Sequence, residues 1–287
     1  MKDILTSPRM EDLKRSRRKR RLRMVILIFI LLITVVYALA FFSSNPKITL
    51  NKIIVTGTRI ISDTKVESDT RQVISGKYLH LFARDNSLIY PKTNIYSTLI
   101  KDFPRIKTLT INRSGWNTLT IDITERLGSY LYCGSQIPTV ESNIGENCYF
   151  VNNDGYIFDK APYFSGNVYF KYYAPLGAGE ANPLGQQLLT PDRFHKIARF
   201  IDGVIAVGFK PTYLVIGNDD DYLYLDHKST DTSPQIIFNN ENDLDQILNN
   251  LSLAMTKPEF ANVINSKYTT LLYIDLRFKN KVLYKFQ

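Results

Sequence analysis

Histidine is nearly absent from this chain of 287 residues, cysteine occurs twice and tryptophan once. The three histidines, His80, His195 and His227, fall in no H-E-x-x-H or H-x-x-x-H pattern, and there is no G-x-S-x-G elbow. Nucleophilic and metal chemistry are poorly supplied, so no catalytic residue, cofactor or metal is expected. The glycine-rich segment APLGAGEANPLG, Ala174 to Gly185, lacks the Gly-Lys-Ser/Thr ending of a phosphate loop and reads as a surface loop. Asp154-Gly155 and Asp219-Asp220-Asp221 lack the ligand spacing and closing Glu of a calcium loop, and read as turns. Surplus charge is also scarce once it is located. Of the formal +9, residues 1–23 carry +7 and the remaining 264 carry +2, so the basicity is no nucleic-acid signal.

One long hydrophobic run is present. Met24 to Phe42, MVILIFILLITVVYALAFF, contains no charge and as a helix measures roughly 28 Å, close to the thickness of a hydrocarbon core. Eight of the ten residues Lys14 to Arg23 are basic, and such clusters stay on the cytoplasmic side. The expected layout is a cytoplasmic tail (1–23), a transmembrane helix (24–43) and an extracytoplasmic remainder, hence a single-pass protein of the cell (inner) membrane. Ala38-Leu39-Ala40 offers the rival reading of a cleavable signal, against which stand the length of the run and its continuation through Phe41 and Phe42. Both cysteines, Cys133 and Cys148, lie in the exported part. A disulfide and a pair of unpaired buried thiols are both compatible with the sequence, which fixes neither distance nor geometry.

After Ser43 to Pro46 interrupt the helix, residues 47–126 read as strand, helix, helix, strand, strand. The first strand is ITLNKIIVTG (Ile48 to Gly57). Ser62 and Asp63 cap a helix with Val66, Val73 and Ile74 inward, and a second helix after Pro91 places Ile95, Leu99 and Phe103 at a spacing of four. IKTLTINR (Ile106 to Arg113) and TLTIDITE (Thr118 to Glu125) alternate, joined by a hairpin at Ser114 to Asn117, with Leu119, Ile121 and Ile123 on one face. Trp116 sits on that hairpin, where it either anchors a partner or lipid headgroup or folds back over Arg113 or a helix.

Residues 127–287 read as a second, mixed α/β domain with a largely antiparallel sheet. Its strands are LGSYLYCG (Leu127 to Gly134), a Cys148 to Lys160 hairpin turning at Asp154-Gly155, Pro211 to Asn218, Asp221 to Lys228 and Pro234 to Asn239. A helix after Thr190 buries Phe194, Ile197, Ala198 and Ile201 and stops at Gly203; another carries Leu244, Ile247, Leu248, Leu251 and Met255, and a third opens at Pro258. His195 reads as a rim residue. In YIDLRF the alternation assigns Leu272, Ile274, Leu276 and Phe278 to one face and Tyr273, Asp275 and Arg277 to the other. Val282 to Phe286 is the expected final strand and a sheet edge, whose alternative role is to finish the core with Tyr284 and Phe286.

The strand and helix order after a membrane anchor resembles a POTRA domain. LTIDITER (Leu119 to Arg126), YFVNNDGYIF (Tyr149 to Phe158) and the terminal YIDLRF hairpin together resemble the FtsQ/DivIB cell-division family, over essentially the whole chain. The cysteines and the loop from Pro138 to Asn147 depart from that pattern. The resemblance implies an α+β protein: one transmembrane helix, a POTRA-like βααββ domain and a C-terminal β domain. It implies a non-catalytic divisome scaffold, enriched at the division septum, whose partners are small bitopic division proteins of the FtsB/DivIC and FtsL type. It also implies a partner strand added at the chain's end, with contact positions Arg277, Phe278, Asn280, Lys285 and Phe286. A glycine can stand where Lys285 falls, which weakens that position. The rival from another class is a membrane-anchored extracytoplasmic hydrolase of cell-wall material, with Asp219 and Asp221 imitating a carboxylate dyad; turnover of peptidoglycan or glycosides would favour it. An envelope-assembly chaperone is a third reading, which gives no reason for the terminal hairpin.

Replacing most of the basic residues at 14–23 with neutral ones is expected to reduce export of the C-terminal part. Protease protection of intact cells reads this directly. Inaccessibility of residues 47–287 from outside in the unaltered protein would refute the assigned orientation.

Overall fold

At the start of the chain α1 runs without interruption from Pro8 to Ser43, taking in the basic segment as well as the apolar run. The computed structural model describes residues 8–137, 147–177, 182–226, 233–239, 243–278 and 280–287. The expectations for His227, Lys228, Lys279, residues 138–146 and the middle of the 174–185 loop lie outside them. From Arg15 to Ser43 the helix is long and apolar enough to cross a membrane, with a mean hydropathy of 3.1 in its most apolar stretch. The chain divides into two units, Met1–Thr124 and Glu125–Gln287.

In the first unit, β1 (Lys52–Thr56) is shorter than its β-branched run suggests. The preceding residues are diverted: Leu50 N–H donates to Asp85 O at 2.8 Å and Thr49 bridges Asn86. Gly57 ends the strand with φ of +83°, where a Cβ would lie 2.0 Å from Ile123 O. Ser62 caps α2 (Asp63–Ile74) by accepting the Lys65 N–H. A short hairpin unforeseen in the sequence follows, β2 (Lys77–Tyr78) with β3 (Phe82–Ala83). Then come α3 (Lys92–Asp102), β4 (Ile106–Ser114) and β5 (Thr118–Glu125). The sheet order is β1-β5-β4 with β1 parallel to β5, so the helices form a crossover between them. Val66, Ile95, Leu99, Leu119 and Ile121 are fully buried in the core, and Val73 and Phe103 pack partly buried at its margin.

The second unit is mixed α/β around a nine-stranded sheet. Its strands are β6 (Tyr130–Tyr132), β7 (Tyr149–Val151), β8 (Ile157–Lys160), β9 (Lys171–Tyr173), β10 (Pro211–Ile216), β11 (Asp220–Leu225), β12 (Gln235–Asn239), β13 (Leu271–Asp275) and β14 (Leu283–Phe286). They lie in the order β14-β13-β12-β11-β10-β9-β6-β7-β8. Antiparallel pairs outnumber parallel ones, the latter being β12 with β13, β9 with β10 and β6 with β9. The β7–β8 turn works as its dipeptide implies: the Asn152 side chain accepts the N–H groups of Asp154 and Tyr156, and Gly155 takes φ of +78°.

Three helices, α4 (Pro191–Ala206), α5 (Leu244–Thr256) and α6 (Pro258–Ser266), supply the core residues that pack with those of the sheet. Gly203 does not end α4 as its composition suggests. It lies inside the helix because α5 approaches there; a Cβ would meet Leu248 Cδ2 at 2.2 Å. A smaller apolar cluster is built around Leu131, Tyr173 and the disulfide that joins Cys133 to Cys148. That bond closes a separation of 15 residues. Cys133→Ser is therefore expected to lower the stability of the second unit by about 3 kcal/mol, on the chain-entropy account. Denaturant unfolding with and without reductant measures it, and an unchanged midpoint would mean the bond contributes nothing.

Candidate functional site

The terminal hairpin departs from simple alternation. The register shifts between Leu271 and Tyr273, so two residues of β13 answer one of β14 there. Leu271 rather than Leu272 is consequently buried, together with Ile274 and Leu276, while Leu272 is only half covered. Phe278 leaves the strand altogether and is exposed. Asp275, expected on the charged outer face, is only 4% exposed.

Burying a carboxylate demands partners, and Arg277 supplies them. Its Nε donates to Asp275 Oδ1 at 2.9 Å, its Nη2 to Oδ2 at 2.6 Å and its backbone N–H to Oδ1 at 3.0 Å. Burial alone would raise the Asp275 pKa; the Arg277 guanidinium and N–H outweigh it and hold the carboxyl below the usual range. Arg277 Nη1 reaches further, to Asp220 Oδ2 at 2.9 Å on β11. One side chain thus ties β13 to β11, with β12 between them. Next to Asp220, Asp221 is buried and its pKa is pushed up to about 6 by desolvation, against the opposing effect of Arg193 at 3.0 Å.

The five residues singled out by resemblance therefore occupy different settings. Arg277 is committed to carboxylates of its own chain. Phe278 and Asn280 are exposed in the connection before β14. On β14, Lys285 stands opposite Tyr273, whereas Phe286 lies opposite Leu271 and packs, half-buried, against the main core. Two neighbours were not singled out as contacts: Tyr284, whose ring meets Phe260 of α6 at 5.3 Å and Phe286 at 5.5 Å, and Phe260 itself. Lys267 Nζ covers Phe286 at 5.8 Å. A row of aromatic rings therefore runs from α6 onto the edge strand. Period-2 alternation on β14 pairs Tyr284 with Phe286, but only the tertiary fold brings Phe260 beside them.

The two edges of the sheet differ. At β8 the segment after Pro183 covers the start of the edge: Ile157 N–H donates to Gln186 O at 2.9 Å, Gly185 N–H to Ile157 O at 2.8 Å, and Tyr156 bridges Gln187. At β14, among the described residues, no strand lies beyond it. Its outward N–H and C=O groups form a template on which another chain can add a strand.

Other chemistry-bearing residues are scattered. His195 Nε2 lies 3.2 Å from Asp154 Oδ1, with both side chains about half exposed at the surface. Asp219 is exposed and Asp221 buried, so the two carboxylates face different surroundings. Among the described residues no group of three His, Cys, Asp or Glu side chains is placed to hold a metal. No model of a known protein family matches the chain, and no curated protein matches it either.

Arg277→Ala would leave Asp275 buried without its guanidinium, at an expected cost of about 1–3 kcal/mol at neutral pH. In the unaltered chain a depressed folded pKa adds stability that is present above about pH 4 and is lost as pH falls through the folded value. In the variant, desolvation acts without the guanidinium, the pKa moves up, and the residue's contribution turns unfavourable as pH rises past about 4. Denaturant unfolding at pH 4 and pH 7 should therefore show a larger deficit at pH 7. An equal deficit at both would mean that the carboxylate is not what Arg277 stabilises.

Proposed function

We propose that this chain is a non-catalytic, single-pass membrane scaffold of the bacterial division machinery, with a POTRA-like first unit and a second unit that binds small bitopic division proteins of the FtsB/DivIC and FtsL type. Its localisation in this reading is the cell membrane, enriched at the septum, with the N-terminus cytoplasmic. The resemblance in LTIDITER and the terminal YIDLRF hairpin motivates the name. The observation that carries the mechanism is the β14 edge, open among the described residues, beside the Phe260–Tyr284–Phe286 row, on a sheet whose other edge is covered at its start. A strand pairing with β14 would satisfy the outward backbone groups, and the aromatic row would supply the apolar contact that main-chain pairing lacks. Phe278 and Asn280 would meet the same partner at the hairpin end. Arg277 acts in this reading as a positioning residue, holding β13 so that β14 is presented in one register.

Deleting Val282 to Gln287 is expected to abolish capture of the partner, and Phe286→Ala to weaken it by about 1–2 kcal/mol or more. The melting curve reads the competing role: Phe286 is half-buried, so some stability is lost, but a variant that melts lower and still binds fully would move the partner site elsewhere. A fluorescent fusion tests the cellular part of the reading. Enrichment at midcell is expected, and uniform membrane signal would sink it.

A further inference from the structure

The end of α1 is fastened to β3 and to the loop that follows it. Ser43, its last residue, is buried; its Oγ accepts the Ala83 N–H at 2.9 Å, and its C=O accepts Asn86 Nδ2 at 2.8 Å, which satisfies a carbonyl that a helix end otherwise leaves open. The next stretch is pinned to the same place, Ser87 N–H donating to Ile48 O at 2.8 Å and the N–H groups of Asn51 and Lys52 both to Asn117 O at 3.1 Å. Arg113 Nη1 reaches Ser87 O at 3.3 Å. The β2–β3 turn, the Ser87–Ile89 loop and the β4–β5 turn are therefore gathered about the point where the apolar helix stops.

What these loops expose is unusual for a water-facing rim. Leu79, at the tip of the β2–β3 turn, is 85% exposed, Leu88 is 61% and Trp116 is 59%. Leu79 and His80 both take positive φ, 49° and 62°, in a turn closed by Leu81 N–H donating to Tyr78 O at 2.9 Å. Asn and Gly adopt that conformation with little strain, and a leucine does not. A strained backbone thus holds an apolar side chain outward. Beside these groups stand cations on aromatic faces: Arg113 lies 5.2 Å from the Trp116 ring and Arg84 5.4 Å from the Tyr78 ring. Arg84 Nε is buried without a hydrogen-bond partner among the described residues. Exposed aliphatic groups, a tryptophan and arginines are the side chains that suit a bilayer interface, apolar parts among the upper acyl carbons and cations at phosphate.

We infer that this rim of the first unit rests in the headgroup layer of the bilayer that α1 enters, with the Leu79 turn and Trp116 wedged among lipids and Arg84 and Arg113 at their phosphates. The inference depends on α1 crossing a membrane. Given that, the occupant is lipid because hydrogen bonds join the helix end to Ala83 and Asn86, and the short stretch after it to Ser87 and Asn117, so the surface nearest to the loops is the bilayer itself.

The single tryptophan makes the test direct. The full chain is reconstituted in phosphatidylcholine vesicles with and without bromine on the acyl chains, and quenching is compared for Trp116 and, in a Trp116→Phe background, for Leu79→Trp, Ile60→Trp and Phe29→Trp. Ile60 follows β1, at the far end of that strand from the helix, and Phe29 lies within the apolar run of α1. Bromine is expected to quench Trp116, Leu79→Trp and Phe29→Trp and to leave Ile60→Trp unquenched, with the solvent-like emission of an exposed indole. Quenching of Phe29→Trp alone would overturn the interface and leave the anchor standing. No quenching even of Phe29→Trp would overturn the anchor and the interface with it.

Discussion

A sheet of nine strands has two edges, and each presents N–H and C=O groups that must be paired, covered or left for a partner. Most of the second unit answers to that requirement. The segment around Gly185 to Leu188 covers the start of β8 and the turn before it, with hydrogen bonds between it and Ile157 and from Leu188 to Gly155. Among the described residues no comparable segment pairs with the outer side of β14. Instead, the far end of the sheet is stiffened from within, by the guanidinium of Arg277 holding carboxylates of β13 and β11. An edge held in one register loses less conformational freedom on accepting a strand than a frayed one would. Position, rather than any single contact residue, is what the terminal hairpin offers.

Local signals carried much of the fold into the sequence. The alternation of β4 and β5, the Ser62 cap, the Pro91 boundary and the Asp154-Gly155 turn each rest on residues close in the chain, and each element formed where those residues lie. Features decided by distant residues were not legible. Gly203 reads as a helix terminator until Leu248 is known to press on it. The buried Asp275 looks like a surface carboxylate until the bulge before Tyr273 and the reach of Arg277 to Asp220 are known. The β2–β3 turn escaped notice because Leu79-His80 carries none of the turn residues that favour positive φ.

The candidate site divides along the same line. Phe278, Asn280, Lys285 and Phe286 are named by resemblance alone, and period-2 alternation already sets Lys285 and Phe286 on opposite faces of β14, whereas only the fold brings Phe260 to the aromatic row. Arg277, named by resemblance as a contact, has its fork on Asp275 and Asp220 of its own chain, pairings that the sequence does not announce. Charge-assisted, bidentate geometry of this kind fixes direction as well as energy.

The ladder that links the hairpin to the rest of the sheet is short. β13 registers with β12 over three residue pairs, Gln235 with Tyr273 through Ile237 with Asp275, while β11 registers with β12 over five. At the opposite end, the disulfide ties the neighbourhood of β6 covalently to that of β7. Resistance to local opening should therefore fall from the cross-linked end toward the terminal hairpin, where the Arg277 fork and the buried Leu271, Ile274 and Leu276 hold β13 in place. A strand added to β14 would lengthen the hydrogen-bonded ladder at its weakest end, so a bound partner would slow amide exchange in β13, two strands away from itself.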